Sequence, residues 1–73
     1  MKKIQLLTLI ADLREIKDNA VHKTWNFTPY KDSIKIFGDI DEISFYEIIE
    51  LLIKDYPFLY SKCFLNKGYI YIK

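Results

Sequence analysis

The strongest local signal in this sequence is the stretch Ser44–Pro57, SFYEIIELLIKDYP. Its apolar residues recur three and four positions apart, the spacing that places side chains on one face of an α-helix. Ser44 and Glu47 are spaced as a capping box, and Ile43 and Ile48 occupy the two staple positions around it. The final proline disfavours helical geometry in the residue before it and so ends the element. The stretch therefore predicts an amphipathic helix with Ser44 as its N-cap.

The chain upstream of this helix predicts a first helix followed by a strand. Over Lys2–Asn19 the apolar residues again follow the helical spacing. Over Ala20–Thr28 apolar and polar residues alternate instead, which is typical of a strand with Val21 and Trp25 on its inner face. Lys23 falls on that inner face, and a long charged side chain reaches solvent most readily at a sheet edge. We therefore expect this strand to be an edge strand.

Turn residues and alternation predict three more strands. Pro29–Asp32 has the composition of a turn and leads into a strand over Ser33–Phe37. After the second helix, Phe58–Leu65 and Tyr69–Lys73 are predicted strands, and Asn66–Gly68 between them is a glycine-containing turn. The tail is thus expected to form a hairpin.

The predicted order is helix, strand, strand, helix, strand, strand. These elements pack most simply as an α+β fold of two layers, with both helices on one face of a four-stranded sheet. A chain of 73 residues supports a single core, so we expect one domain over residues 1–73. The same order resembles a circularly permuted ferredoxin-like βαββαβ arrangement, with the first strand moved to the end.

Packing both helices on one side leaves the opposite sheet face uncovered. Strand alternation assigns aromatic and cationic side chains to that face: Tyr60, Phe64, Tyr69, Tyr71, Lys35, Phe37, Lys62 and Lys73. Each large aromatic buries about 150 to 250 Å², so together they exceed the roughly few hundred Å² of a monomer's largest apolar patch. Three explanations stay open: loops or a different strand facing cover the aromatics, a second copy covers them, or a partner does.

Charge is segregated along the sequence. The net charge is +1, yet residues 39–50 contain five carboxylates and no basic residue, and the segments on either side each carry a net +3. The acidic residues are Asp39, Asp41, Glu42, Glu47 and Glu50. Acids near a helix N-terminus complement the helix dipole, which is a sufficient structural role. A functional alternative is that they imitate a phosphate backbone and occupy the basic groove of a nucleic-acid enzyme.

Residues that support catalysis or metal binding are scarce. His22 and Cys63 are the only histidine and cysteine, and we expect a solvated strand residue and a small core residue rather than a nucleophile pair. No ligand spacing typical of zinc or calcium occurs, and two glycines are too few for a phosphate-binding loop. We therefore predict that the protein is not an enzyme and binds neither a metal nor a cofactor.

Composition also bears on compartment and origin. No apolar run approaches the roughly 20 residues that span a bilayer, and a single cysteine is typical of a reducing compartment. We expect a cytoplasmic protein with no membrane partner. Twelve Ile and ten Lys against one Arg are typical of an AT-rich genome, and short AT-rich genes are common in phages and mobile elements.

One short segment resembles a known family. Lys67–Ile72, KGYIYI, is similar to the start of the RNA-recognition-motif consensus, in which a basic residue and a glycine precede alternating aromatic residues. The similarity covers six residues of 73, and Ile70 stands where the family has a small residue. It implies that bases stack on Tyr69 and Tyr71. A glycine-closed hairpin with alternating Tyr and Ile accounts for the same residues.

Three functions follow from these surfaces. The leading hypothesis is a small non-catalytic interaction protein, encoded by a phage or mobile element, that binds and inhibits or modulates a host nucleic-acid-processing protein, as an anti-CRISPR protein does. It would use the acidic residues and the aromatic face. The second is a single-stranded RNA or DNA binder that stacks bases on the aromatics, Phe37 included, and meets phosphates through Lys35, Lys62 and Lys73. The third is a homodimer with a structural or regulatory role.

Overall fold

Helical and strand periodicities produce three helices and four strands in the computed structural model, which describes residues 1–73. The elements are α1 (Lys3–Asn19), β1 (Trp25–Tyr30), β2 (Ser33–Gly38), α2 (Glu42–Asp55), α3 (Pro57–Tyr60), β3 (Phe64–Asn66) and β4 (Tyr69–Ile72). The strands form one sheet in the order β1-β2-β4-β3, and every neighbouring pair is antiparallel. The predicted α+β class is confirmed, and so is the predicted edge position of β1.

The strand order agrees with the permuted ferredoxin-like arrangement. In a ferredoxin-like βαββαβ chain the first strand lies between the last two strands in the sheet. When that strand is moved to the end of the chain it becomes β4, and β4 lies here between β2 and β3. None of the three helices combines the length and apolarity needed to cross a lipid bilayer.

The core lies between the helices and the inner face of the sheet. Leu9 and Leu13 of α1 and Leu52 of α2 are fully buried against isoleucines of the two central strands. Those isoleucines are Ile34 and Ile36 of β2 and Ile70 and Ile72 of β4. Because side chains alternate along a strand, the residues between these isoleucines face away from the helices. The core thereby fixes which side chains form the outer face.

The first turn of α2 differs from the prediction. Asp41 is the N-cap, and its Oδ2 accepts a hydrogen bond from the backbone N–H of Ser44 at 3.0 Å. The helix begins at Glu42, which places Ser44 inside the first turn, where it is buried. The prediction of Ser44 as the cap is therefore wrong. Both residue types cap helices well, but a carboxylate also complements the helix dipole.

The earlier start of α2 also moves the hydrophobic staple. With Asp41 as the cap, the staple positions are Ile40 and Phe45. Ile40 is buried and Phe45 packs against the core. Ile43, which was predicted to take part in the staple, is 68% exposed instead.

The segment between α1 and β1 is not the strand that was predicted over Ala20–Thr28. β1 begins only at Trp25, and Val21 is exposed rather than inward. The Lys23 ammonium donates a hydrogen bond to the carbonyl oxygen of Asp18 in the last turn of α1, at 2.9 Å. Because the last carbonyls of a helix have no partner within it, this lysine caps α1 and does not occupy a strand.

A short helix replaces much of the strand that was predicted over Phe58–Leu65. Pro57 is the first residue of α3, where its missing N–H has no role in the helix. Leu59 is buried and Tyr60 packs against the core. Burial of these side chains stabilises a helical turn that the alternating sequence pattern does not predict. Because the helix occupies these residues, β3 has only three residues. The strand prediction is wrong for residues 58–63.

The β1–β2 hairpin is tighter than predicted. Tyr30 pairs with Ser33, so the turn consists of Lys31 and Asp32 alone, and Lys31 has a positive φ of 55°. Pro29 lies within β1, which is tolerated because β1 is an outer strand and one of its edges needs no ladder hydrogen bonds.

That free edge of β1 is closed by side chains. Asn26 Oδ1 accepts hydrogen bonds from the Phe27 backbone N–H at 2.9 Å and from Lys17 Nζ of α1 at 3.0 Å. Pro29 has no N–H to offer. An edge whose donors are occupied or missing is a poor template for another strand. Backbone pairing with a second chain is therefore disfavoured at β1.

A buried phenol links the two long helices. Tyr56, directly after α2, donates its hydroxyl to the Asp12 carboxylate of α1 at 2.7 Å. Burial raises the pKa of the Tyr56 phenol above its usual range, and the hydrogen bond and negative charge of Asp12 raise it further. The phenol therefore stays protonated and continues to donate in strongly basic solution.

Candidate binding surface

The sheet presents one face that no helix covers. Cross-strand pairing places Lys35, Tyr71 and Phe64 side by side across β2, β4 and β3. A parallel row brings Phe37 of β2 next to Tyr69 of β4. With Tyr30 at the end of β1, these six side chains form what we call the open sheet face: Tyr30, Lys35, Phe37, Phe64, Tyr69 and Tyr71.

The aromatic rings of this face are accessible to different degrees. Phe64 is 58% exposed, Tyr30 is 56% exposed and Phe37 is 41% exposed, whereas Tyr69 and Tyr71 on the central strand are half-buried. The ring centroids of Phe64 and Tyr69 are 6.4 Å apart, which is within the range of a favourable aromatic pair. The rings thus support one another and still expose apolar surface.

A lysine lies among these rings. The Lys35 ammonium is 5.2 Å from the ring centroid of Tyr30 and 6.0 Å from that of Tyr71. Lys31 in the hairpin turn is 5.7 Å from the Tyr30 ring. These separations are typical of cation–π contacts. Tyr30 had been predicted to lie in a turn, so this cluster was missed. Continued alternation through Pro29 is the signal that identifies it.

The strand positions on this face carry no carboxylate. The other outward-facing strand residues around it are polar and neutral: Asn26 and Thr28 of β1, Ser33 of β2 and Asn66 of β3. Ser33 is buried at the hairpin end, where its hydroxyl donates to the Tyr30 carbonyl at 2.8 Å. The nearest acids in the sequence, Asp32 and Asp39, flank β2 outside the strand. The face is therefore both aromatic and cationic.

Two residues predicted for this face lie elsewhere. Tyr60 belongs to α3 and packs against the core, and Lys62 follows it in the turn before β3. Both were assigned to a strand that does not form over those residues. Lys73 follows the last strand residue, Ile72, and is exposed.

The predicted acidic residues are divided among different environments. Asp39, Asp41 and Glu42 line a cavity of about 380 Å³ together with Lys67 of the β3–β4 turn. Asp41 is committed to the helix cap. Burial raises the pKa of its carboxyl, but hydrogen bonds with Ser44 and with its own backbone N–H, together with the nearby His22, more than offset this, so the pKa lies below its ordinary value.

The remaining two acids lie further along α2. Glu47 and Glu50 line a shallow groove with Ile16 of α1. Glu50 forms an ion pair with Lys54 at 3.6 Å, with both side chains exposed. The exposed side of α2 also carries Ile43 and Tyr46, which are 68% and 60% exposed. Glu47 and Glu50 thus belong to a helix surface that is both acidic and apolar. The sequence analysis had predicted only its acidic residues.

The two residues considered for nucleophilic chemistry lie at opposite corners of the sheet. His22 precedes β1, and Cys63 precedes β3 on the other outer strand, which runs antiparallel to β1. Two intervening strands separate the outer strands by about 14 Å. Burial raises the pKa of the Cys63 thiol, which donates a hydrogen bond to the Tyr60 carbonyl at 3.1 Å. These two side chains therefore do not form a catalytic pair, and no group of three or more His, Cys, Asp or Glu is placed to hold a metal ion.

The largest cavity lies on the helical side, in a groove of about 520 Å³ between α1 and β1. Its apolar floor is formed by Ile10 and Phe27, and Arg14, Lys17 and Asp18 lie at its rim. Lys17 is already engaged by Asn26. The rim therefore mixes both charges and has no single preferred ligand.

Comparison of the chain with family models, with curated proteins and with solved structures finds no match. The similarity of Lys67–Ile72 to the RNA-recognition-motif consensus consequently rests on those six residues alone. In the structure, Lys67 lies in the turn and Tyr69 and Tyr71 lie on the open sheet face.

Proposed function

We propose that this chain is a small non-catalytic interaction protein that engages the nucleic-acid-processing machinery of a host cell through its open sheet face. The observation that carries the proposal is the cluster of exposed aromatic rings around Lys35 on the side of the sheet without helices. A domain of 73 residues has little stability to spare for apolar surface without a use. An apolar patch of this kind is typical of an interaction site.

The setting of this function is a phage or mobile element acting on its host in the cytoplasm. The Ile- and Lys-rich composition and the single cysteine support this origin and compartment. Inhibition of a nucleic-acid enzyme, as anti-CRISPR proteins perform it, is the activity that best combines these features. The exposed acidic and apolar side of α2 supplies a second contact, with Glu47 beside Ile43 and Tyr46.

Site-specific photo-crosslinking in cells of the source host tests the proposal. A benzophenone amino acid replaces Tyr71 on the open sheet face in one variant and Phe58 in the control. Phe58 lies on α3 and is 83% exposed, so it reports non-specific encounters. We expect a discrete host adduct from position 71 that is absent from position 58. Equal adducts from both positions, or an adduct at 71 only with a second copy of the chain, would contradict it.

The contribution of α2 is tested separately by charge reversal. Glu42→Lys combined with Glu47→Lys removes two exposed acids and leaves the Asp41 cap intact. We expect the doubly substituted protein to fold and to lose part of its crosslinking yield to a basic partner. An unchanged yield would remove the acidic residues from the proposal and leave the open sheet face as its only surface.

A further inference from the structure

We propose that the ligand of the open sheet face is single-stranded nucleic acid. This inference rests on the proposed function: the face engages the host's nucleic-acid-processing machinery by binding the single strand on which that machinery acts. Four observations support it: the rows of rings, their spacing, the position of the lysines and the absence of carboxylates.

The first row offers one ring flanked on both sides. Tyr71 on the central strand β4 lies directly opposite Lys35 of β2 and Phe64 of β3. Side chains in directly opposed positions have Cβ atoms about 5 Å apart. A base that stacks on Tyr71 therefore also meets the Phe64 ring and the Lys35 ammonium. Stacking is tolerant of sequence because every base has a π-face.

The second row lies two residues further along the strands. Phe37 and Tyr69 are opposed there, and two residues of strand correspond to about 7 Å. The Phe64 and Tyr69 rings, one from each row, have centroids 6.4 Å apart. Two rows at this separation accommodate neighbouring unstacked bases of an extended strand. We infer that the face stacks about two bases, one on each row.

Cations lie where a sugar–phosphate backbone would run beside the stacked bases. Lys35 is between the Tyr30 and Tyr71 rings, at 5.2 and 6.0 Å, and Lys31 is 5.7 Å from Tyr30. Lysines next to base-stacking rings are the combination that binds single strands without reading sequence. A duplex hides the faces of its bases, so it presents nothing for these rings to stack on.

Carboxylates are directed away from the face or lie beyond it. The Asp32 carboxylate is 3.9 Å from the amino group of Met1, and Met1 packs against the core on the helical side. Asp39 follows β2 and lines a cavity with Asp41 and Glu42 at the start of α2. A chain with a net charge of only +1 thus offers a locally cationic surface. Because the lysines of the face are separated from the carboxylates, the face favours an anionic ligand. The acidic residues of α2 remain available for a basic partner.

Fluorescence anisotropy with fluorescein-labelled 12-nucleotide RNA and DNA of mixed sequence tests the inference at 50 mM salt. We expect binding at tens of micromolar or tighter, and no binding to the corresponding duplex DNA. Phe64→Ala should weaken binding by about 5- to 150-fold, the range measured for loss of one stacking ring. Phe58→Ala removes a more exposed phenylalanine, which lies on α3, and should change nothing. Tyr71→Phe, which keeps the ring, should retain binding.

The salt dependence tests the lysines. Two contacting lysines, Lys31 and Lys35, give a slope of log K against log salt of about −1.4 for a single strand. Affinity should then fall by about 7-fold between 50 and 200 mM salt. Lys35→Gln should reduce the slope by about 0.7, and Lys3→Gln on α1 should leave it unchanged.

The outcomes separate this inference from the function on which it rests. No binding to either single strand at 100 µM protein, or equal affinities for the Phe64→Ala and Phe58→Ala variants, would overturn the inference. A host protein crosslinked at position 71 without nucleic-acid binding would overturn it and leave the proposed function standing. A concentration-dependent dimer in sedimentation that Tyr71→Asp dissociates would overturn both, because a second copy would then occupy the face.

Discussion

Replacement of Gly38 by alanine should be among the most damaging single changes that this fold can suffer outside its core. Gly38 ends β2 with a φ of +104°, a conformation that side chains rarely adopt. A Cβ at this position would lie 2.9 Å from the carbonyl oxygen of Thr24 and 3.1 Å from the Cα of Trp25. Both neighbours are backbone atoms, so the clash cannot be relieved by rotation of a side chain.

The size of the effect follows from what must move. A non-glycine residue in such a backbone conformation costs about 1 to 3 kcal/mol. Displacement of Thr24 also weakens two hydrogen bonds with Asp39: the Asp39 N–H donates to the Thr24 carbonyl at 3.2 Å, and the Thr24 hydroxyl donates to the Asp39 carbonyl at 2.6 Å. Each contributes about 0.5 to 1.5 kcal/mol. We expect a loss of about 2 to 5 kcal/mol, against a total stability of about 4 to 11 kcal/mol for a chain of this length.

Urea denaturation followed by tryptophan fluorescence measures this loss directly, because Trp25 is the only tryptophan and is 1% exposed. The matched control is Gly68→Ala. Nothing lies within 4 Å of a Cβ added at Gly68, so we expect a change within about 0.5 kcal/mol. Gly38→Ala should also lower Tm by at least about 10 °C. If the two variants were equally stable, the close approach of β1 to Gly38 would be wrong.

Three further predictions concern a cap, a phenol and a thiol. Asp41→Ala should cost about 0.5 to 2 kcal/mol through loss of the cap to Ser44. Because the folded pKa of Asp41 is depressed, its contribution is present at neutral pH and lost as pH falls through that pKa. Urea titrations of Asp41→Asn should therefore show a flatter acid limb than the parent. Tyr56→Phe should lower the free energy of unfolding by about 1 to 3 kcal/mol, because Asp12 loses its hydrogen-bond donor. The same change should remove the phenol that titrates last when absorbance is followed at 295 nm, because the pKa of Tyr56 is raised. Cys63 should react with a disulfide reagent at pH 8 more slowly than free cysteine, because burial raises its thiol pKa; an equal rate would place the thiol in solvent.

The sequence predicted the fold where period and burial coincide. Leu9, Leu13 and Leu52 lie on the faces predicted by helical spacing, and the isoleucines of β2 lie on the face predicted by alternation. Each of these elements has a single apolar face, and the molecule has a single core for it to pack against. The apolar pattern alone therefore determines which side of the element is buried. The α+β class follows from the same logic, whereas the edge position of β1 was predicted from Lys23, which lies outside the strand.

Prediction failed where two local signals competed. Asp41 and Ser44 are both good caps three residues apart, and the burial of Ile40 and the helix dipole favour Asp41. In the tail, the positions of Leu59 and Leu65 are compatible with one continuous strand. They are equally compatible with a helical turn at Leu59 followed by a short strand at Leu65. The choice of a helical turn at α3 depends on Leu59 reaching the core, which is a tertiary effect.

Only part of the open sheet face was predicted, because its membership depends on which strands form. Phe37, Phe64, Tyr69 and Tyr71 lie there because their strands exist and alternate as expected. Tyr60 does not, because its strand does not form. The contact of Lys35 with Tyr30 was missed because Tyr30 was assigned to a turn, and the pairing of side chains on different strands also requires the register.

The closed edge of β1 affects how the molecule can recognise a ligand, because Asn26 already occupies the Phe27 N–H and the Lys17 ammonium. With the Phe27 N–H bound to Asn26 and no N–H at Pro29, two backbone donors are missing from this edge, and recognition there depends more on side chains. A surface made only of side chains changes one residue at a time without disturbing the ladder beneath it. A substitution at Tyr30, the β1 residue of the open sheet face, therefore changes that surface and leaves the strand pairing intact.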